Sequence, residues 1–200
     1  MDLDLSTLLE QGGLNIIDYQ YFNQLFNHRT IIFNRDISED IVESVYLPLK
    51  EFEEDDCTTP VTLILNCIGG SVSDGFFLAY YISQYKKPLN IIVLGYAASM
   101  AAVILAAGGH NENVTRMCYP CTYGLIHDGQ VAIQASEAKT AADIMAFNDS
   151  IDQQIRQFFI NNTKITEEEY DNHSRHQWFM SSEELKRLGF IDKIIGVDEQ

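Results

Sequence analysis

The sequence predicts an α/β fold around a largely parallel sheet, and three observations carry that expectation. Short β-branched runs recur as Thr30-Ile31-Ile32-Phe33, Val61-Thr62-Leu63-Ile64-Leu65 and Ile91-Ile92-Val93-Leu94-Gly95, each the length of a buried strand. Segments with helical spacing stand between them, and alternation of strand and helix calls for right-handed crossovers. No internal repeat, low-complexity tract or linker divides the 200 residues, a length that buries one full core.

Each element has a local reason. Residues Leu14 to Asn27 mix aromatic and polar side chains as a packing arm would, so residues 1–28 are set apart from a main domain over 29–200. After the first strand, Ser38 stands as an N-cap before Glu39 and Asp40, and Ile41, Val45, Leu49 and Phe52 keep a helical period. Pro48 interrupts that run and predicts a break near Leu47. A helix is expected from about Asp74 to Tyr85, with Phe77, Tyr80 and Tyr81 on its apolar side, and another from Ala98 to Ala107. Met117-Cys118 and Gly124-Leu125-Ile126 read as short strands around a Tyr119-Pro120 turn. The longest helical stretch covers Ala132 to Asn162, where Ile144, Phe147, Ile151, Ile155 and Phe158 recur at three-to-four spacing. Such a stripe asks for a large partner surface, often a second subunit. Ser181-Ser182-Glu183-Glu184 opens a short helix, and Gly189-Phe190-Ile191-Asp192 reads as a last strand.

Charge narrows the function. A net charge of −16 argues against nucleic-acid binding, which needs clustered Lys and Arg, and against docking on anionic lipid. Acid at Asp2 and Asp4 stands where a secretory signal carries base, and no apolar run reaches the length of a membrane span. A cytoplasmic protein is expected. Cys118-Tyr119-Pro120-Cys121 lacks the second pair a zinc site needs, so free thiols are expected, with no metal and no cofactor.

Three positions carry nucleophile chemistry. Ser99 follows the third strand within Gly95-Tyr96-Ala97-Ala98-Ser99-Met100-Ala101, a strand-to-helix turn with small neighbours that exposes a side chain and aims amides at a carbonyl. A serine that merely caps the helix fits the same pattern. Gly69-Gly70 ends the second strand, where two glycines let backbone approach a ligand and free amides to donate. His127 ends Leu125-Ile126; it serves as a base if it reaches Ser99 and as a structural residue if it does not.

These motifs, taken in order, resemble the proteolytic subunit of the Clp protease family. Asn66-Cys67-Ile68-Gly69-Gly70-Ser71-Val72 is similar to the family's Asn-Ser-Pro-Gly-Gly-Ser-Val, and the segment around Ser99 to its Gly-x-Ala-Ala-Ser-Met-Gly. Arg116 to Pro120 with Leu125-Ile126-His127, then Phe179 to Glu184 and Leu188 to Asp192, resemble the remaining motifs. The resemblance implies a ClpP/crotonase-like fold of stacked ββα units with a protruding handle helix over about 132–162. It implies Ser99 as nucleophile, His127 as general base, and an oxyanion hole from the amides of Gly70 and Met100. It further implies heptameric rings meeting in pairs through the handle. The N-terminal arm would line an axial pore, and an AAA+ ATP-driven unfoldase would feed unfolded polypeptide to the chamber.

One departure bears on the chemistry. The family's third triad residue, an aspartate, falls at Gln177, which offers an acceptor oxygen to the imidazole but no charge. Asp128 and Asp171 are the nearby acids. Two readings follow: a serine endopeptidase of normal or reduced activity, or a catalytically impaired structural subunit of a mixed ring. Smaller departures are Ala101 and Ile68 in place of glycine and proline, and a longer Gly108-to-Thr115 loop expected near the site. Thr62 and Ile64 stand at positions of the unfoldase docking pocket, where Ile64 and Tyr85 are expected to form an apolar recess.

Overall fold

The computed structural model describes residues 24–127, 138–173 and 176–198. Most of the arm over 1–28, the start of the long helix at 132–137, and Asp128 lie outside the described residues.

Five parallel strands make the main sheet, in the order β1 (Thr30–Phe33), β2 (Val61–Cys67), β3 (Leu89–Ala98), β4 (Val114–Cys118) and β7 (Lys193–Ile194). Alternation in β2 and β3 turns Val61, Leu63, Leu65, Leu89, Ile91 and Val93 under the helices, where they form the core. The opposite face keeps Ile32, Ile64, Ile92 and Leu94 partly in water, although parallel sheets are ordinarily covered on both sides.

At the expected break near Leu47 the helix changes register without ending: a π-helical turn, Val42–Tyr46, runs on into α1 (Leu47–Glu54) with helical backbone at Tyr46 and Leu47, and Pro48, which has no N–H to give the preceding turn, sits at the change. Helix α2 (Val72–Ser83) is capped by Ser71, whose hydroxyl accepts from the Asp74 amide. Its buried face is Gly75, Leu78, Ala79 and Ile82, while Phe77 and Tyr80 point outward, Tyr80 being 61% exposed. Of the three aromatics expected on the apolar side, Phe77 and Tyr80 are therefore on the outer side, while Tyr81 packs partly buried against the core and donates to Glu53. Small residues are what let α2 approach α3 (Met100–Ala106), every residue of which is buried. Tyr85 is only 1% exposed and donates its hydroxyl to the Leu49 carbonyl, so it forms core rather than a surface recess with Ile64.

A 3₁₀ turn, Ala107–His110, follows α3, and Asn113 accepts from the Leu89 amide at the start of β3. The Gly108-to-Thr115 loop thus sits at the opening end of the sheet. Ser99 lies at the other end of α3, whose seven residues rise about 10 Å at ~1.5 Å per residue, and none of the loop residues lines the cavity beside Ser99, which corrects the expectation of a loop near the site.

At Gly95, with φ +93°, the sheet divides. Leu89 to Val93 of β3 pair with β4, whereas Tyr96 to Ala98 pair with β5 (Tyr123–Ile126). Thr122, buried at the fork, donates to the Val93 carbonyl. Strand β5 then pairs antiparallel with β6 (Trp178–Met180), forming a two-stranded leaf.

Helix α4 (Ala138–Asn162) supplies the expected long helix, but only its last turns enter the core, through Phe158 and Phe159. Earlier in the stripe, Phe147 is 65% exposed. Arg156 ties α4 to α5 (Glu167–His173) through Asp171 at 2.7 Å and Glu167 at 3.1 Å. Helix α6 (Ser182–Arg187) opens on a capping box, with Ser181 and Glu184 exchanging side-chain bonds with backbone amides. The last strand begins at Lys193 rather than Gly189. Gly189 to Asp192 form the turn into it, held by Arg116, which donates to the Gly189 carbonyl and to both Asp192 oxygens.

Candidate active site

Ser99 occupies the N-cap position of α3 without acting as a cap. Its backbone lies at φ 54°, ψ −125°, and its side chain makes no capping bond. Ser71 and Ser181, at the same position of their helices, both spend their hydroxyls on backbone amides. Among the described residues only Arg29 shares a positive φ without being glycine. A side chain held in this region is strained by ~1–3 kcal/mol, and the strain turns it out of the helix. The Ser99 amide donates to the Leu125 carbonyl at 2.8 Å, which fixes the turn to β5.

The glycine pair closes on that turn. A Cβ at Gly69 would stand 2.7 Å from the Ser99 Cβ and 3.1 Å from the Met100 nitrogen, so only glycine permits the approach. The Cys67 thiol accepts from the Gly69 amide at 3.3 Å and helps set the loop. Ile37 bridges the loop from outside, donating to the Gly69 carbonyl and accepting from the Ser71 amide, each at 2.8 Å. Backbone groups alternate in direction along extended chain, so the Gly70 amide between them faces away from Ile37. Met100 is the first residue of α3, where an amide has no partner within its helix.

His127 follows β5 and lines one small cavity together with Ser99, Val72 and Met100. The β5–β6 register pairs Gly124 with Met180, Leu125 with Phe179 and Ile126 with Trp178. Continued by one residue, it sets Gln177 opposite His127. Gln177 is exposed, beside Trp178, whose ring stacks on His173 at 4.4 Å. Asp171, the alternative acid, is engaged by Arg156 through two bonds of 2.7 and 2.9 Å.

The fold thus draws Ser99, His127, Gly70 and Met100, from separate stretches of the chain, to the closing ends of β2, β3 and β5. Sequence reasoning missed the Leu125 carbonyl, the Cys67 thiol and Phe159, which lines the same cavity. Phe159 stands four residues after Ile155 on the same face of α4, so the helical spacing that marked Ile155 could have found it. Cys118 is buried in β4, where burial pushes its thiol up to about 11, and Cys121 is exposed in the following turn; both are free.

The model of the family described as Clp protease matches residues 14–198, nearly the whole chain.

Proposed function

The chain belongs to the Clp protease family, a family of peptidases, and from that premise we propose that it is a serine endopeptidase acting through Ser99. The observation that carries the proposal is the strained Ser99 turn, whose hydroxyl is not used as a cap and which shares a cavity with His127.

In this reading, His127 takes the Ser99 proton as the oxygen attacks a peptide carbonyl. The amides of Gly70 and Met100 receive the oxyanion, each contributing about 2.7–4 kcal/mol. His127 then protonates the leaving amine, and water, deprotonated by the same imidazole, releases the acyl group from Ser99. Gln177 takes the orienting place. Its amide oxygen accepts from the imidazole N–H and fixes the tautomer, without the charge that would stabilise imidazolium.

The substrate class is unfolded polypeptide, delivered by an AAA+ ATP-driven unfoldase to a chamber made of paired heptameric rings. Two surfaces support assembly: the apolar outer face at Ile32 and Leu94, and the exposed stripe of α4 around Phe147. Residues 1–28 are assigned to the axial arm. No helix among the described residues is long and apolar enough to cross a membrane, and free thiols support a cytoplasmic setting.

Labelling with a fluorophosphonate, read by intact mass, tests the proposal. The native chain should gain one label, and Ser99→Ala should gain none while assembling normally. The absence of acid at Gln177 favours a second reading, a ring subunit without catalysis. An assembled native ring that takes no label would establish it.

A further inference from the structure

We infer that Asn66 is a positioning residue for the proposed reaction, its side-chain amide fixing the Gly69-Gly70 loop and the Ser99 turn relative to one another. The inference rests on Ser99 being the nucleophile and adds what holds it in register with its oxyanion donors. Three parallel strands end at the site, and each leads into a part of it. β1 runs on through Asn34 to Ile37, which grips the glycine loop from outside; β2 runs on to Gly69 and Gly70; β3 runs on to Ser99. The backbone ladder between β2 and β3 breaks just before those ends. Leu65 pairs with Val93 and Cys67 with Ala97, so Asn66 alone faces Leu94, Gly95 and Tyr96. A bulge of this kind re-aims the strand that carries it and leaves amides without a ladder partner.

Asn66 closes that gap with its side chain. Its Oδ1 accepts from the Tyr96 amide at 3.1 Å, and its Nδ2 donates to the Asn34 Oδ1 at 2.7 Å. One amide group thereby joins the ends of all three strands. The fit is close: a Cβ at Gly95 would stand 2.6 Å from the Asn66 Oδ1, so the glycine makes room for this side chain. Beyond the stitch, β3 has exchanged β4 for β5, and Tyr96 lies three residues before Ser99. Asn66 does not line the cavity that holds Ser99 and His127, so it acts through the backbone rather than by touching substrate.

The test measures fluorophosphonate labelling at Ser99 and deuterium exchange at the Tyr96 amide in the full-length assembled protein. Labelling is read on folded protein, so a loss of stability alone does not slow it. Asn66→Ala should label at least tenfold more slowly than the native chain, since a misplacement near 1 Å costs on the order of 10²-fold in rate. Its Tyr96 amide should exchange at least tenfold faster. Asn66→Asp keeps an oxygen for Tyr96, and Asn34 can turn its own amide to donate to the other; this variant should label within threefold of native. Asn66→Ala labelling within threefold of native, or Asn66→Asp labelling as slowly as Asn66→Ala, would overturn the inference while leaving Ser99 as nucleophile. If Asn66→Ala does not fold, Asn34→Ala decides: labelling at least threefold slower supports the stitch, and a native rate overturns it. No label on the native chain would remove the nucleophile and the inference with it.

Discussion

Replacing Gly69 by alanine tests whether the glycine loop locates the nucleophile. The added methyl would meet the Ser99 Cβ at 2.7 Å, the Ala98 carbonyl oxygen at 2.9 Å and the Met100 nitrogen at 3.1 Å. Ordinary contact begins at 3.4 Å, so the shortfall at Ser99 is about 0.7 Å. Gly69 also holds φ +105°, a conformation that costs any other residue ~1–3 kcal/mol. Steric crowding adds ~1–3 kcal/mol, against a stability of roughly 5–15 kcal/mol for a domain. The fold should survive, weakened. The nucleophile should not stay in place, and a misplacement near 1 Å costs on the order of 10²-fold in rate. The assay is the second-order rate of fluorophosphonate labelling beside a urea unfolding curve. Gly196→Ala is the control, because Gly196 has φ +80° but nothing within 4 Å of an added methyl. It should lose stability without losing labelling rate. If Gly69→Ala labels within threefold of the native rate while folded, the loop does not position Ser99 and the argument fails.

Other perturbations probe separate links. Gln177→Asp should raise kcat ten- to a hundredfold: a charge ~5 Å from imidazolium contributes up to about 3 kcal/mol at an effective dielectric near 20, less with solvent nearby. An unchanged kcat would place the orienting group elsewhere. Asp55 bonds to Arg29, which holds its carboxyl below the ordinary value of 3.8. Because the folded value is depressed, that stabilisation is complete above pH 3.8 and is lost as pH falls through the lower folded value. Asp55→Asn should therefore lower Tm at pH 6 and flatten its decline below pH 4; parallel melting curves would show that the pair contributes nothing. The Arg116–Asp192 pair should behave as structure, with Asp192→Asn lowering Tm and leaving the labelling rate at Ser99 unchanged, as measured on folded protein at 20 °C.

The parts legible in the sequence are those set by local pattern. β-branched runs marked β1, β2 and β3, Pro48 marked the change of helical register, and Ser181 to Glu184 marked the start of α6. The parts that escaped depend on what packs against what. Phe77, Tyr80 and Tyr81 looked like the apolar side of α2, but Leu78, Ala79 and Ile82 fit beneath α3, Phe77 and Tyr80 face outward, and only Tyr81 packs against the core. Gly189 to Asp192 looked like strand because it is apolar, yet Arg116 and a positive φ at Gly189 make it a turn. At the site, the glycine pair and the Ser99 turn were visible as motifs. The unspent hydroxyl was not, since a capping serine has the same neighbours in sequence. Nor was the place of Gln177, which emerges only from the register of β6 on β5.

The fork at Gly95 has a thermodynamic consequence. Three register pairs join β3 to β5 and three join β5 to β6, whereas the core strands β2 and β3 pair along most of their length. Cooperative units held by few backbone bonds open at a lower free energy than the whole domain. The amides of the leaf should therefore exchange with deuterium ahead of those in β2 and β3. Such an opening carries the segments bearing His127 and Gln177 away from Ser99, which stays anchored at the head of α3. Heat or mild denaturant would then disassemble the alignment while the core remained folded, so this chain is expected to fall silent at temperatures well short of its melting.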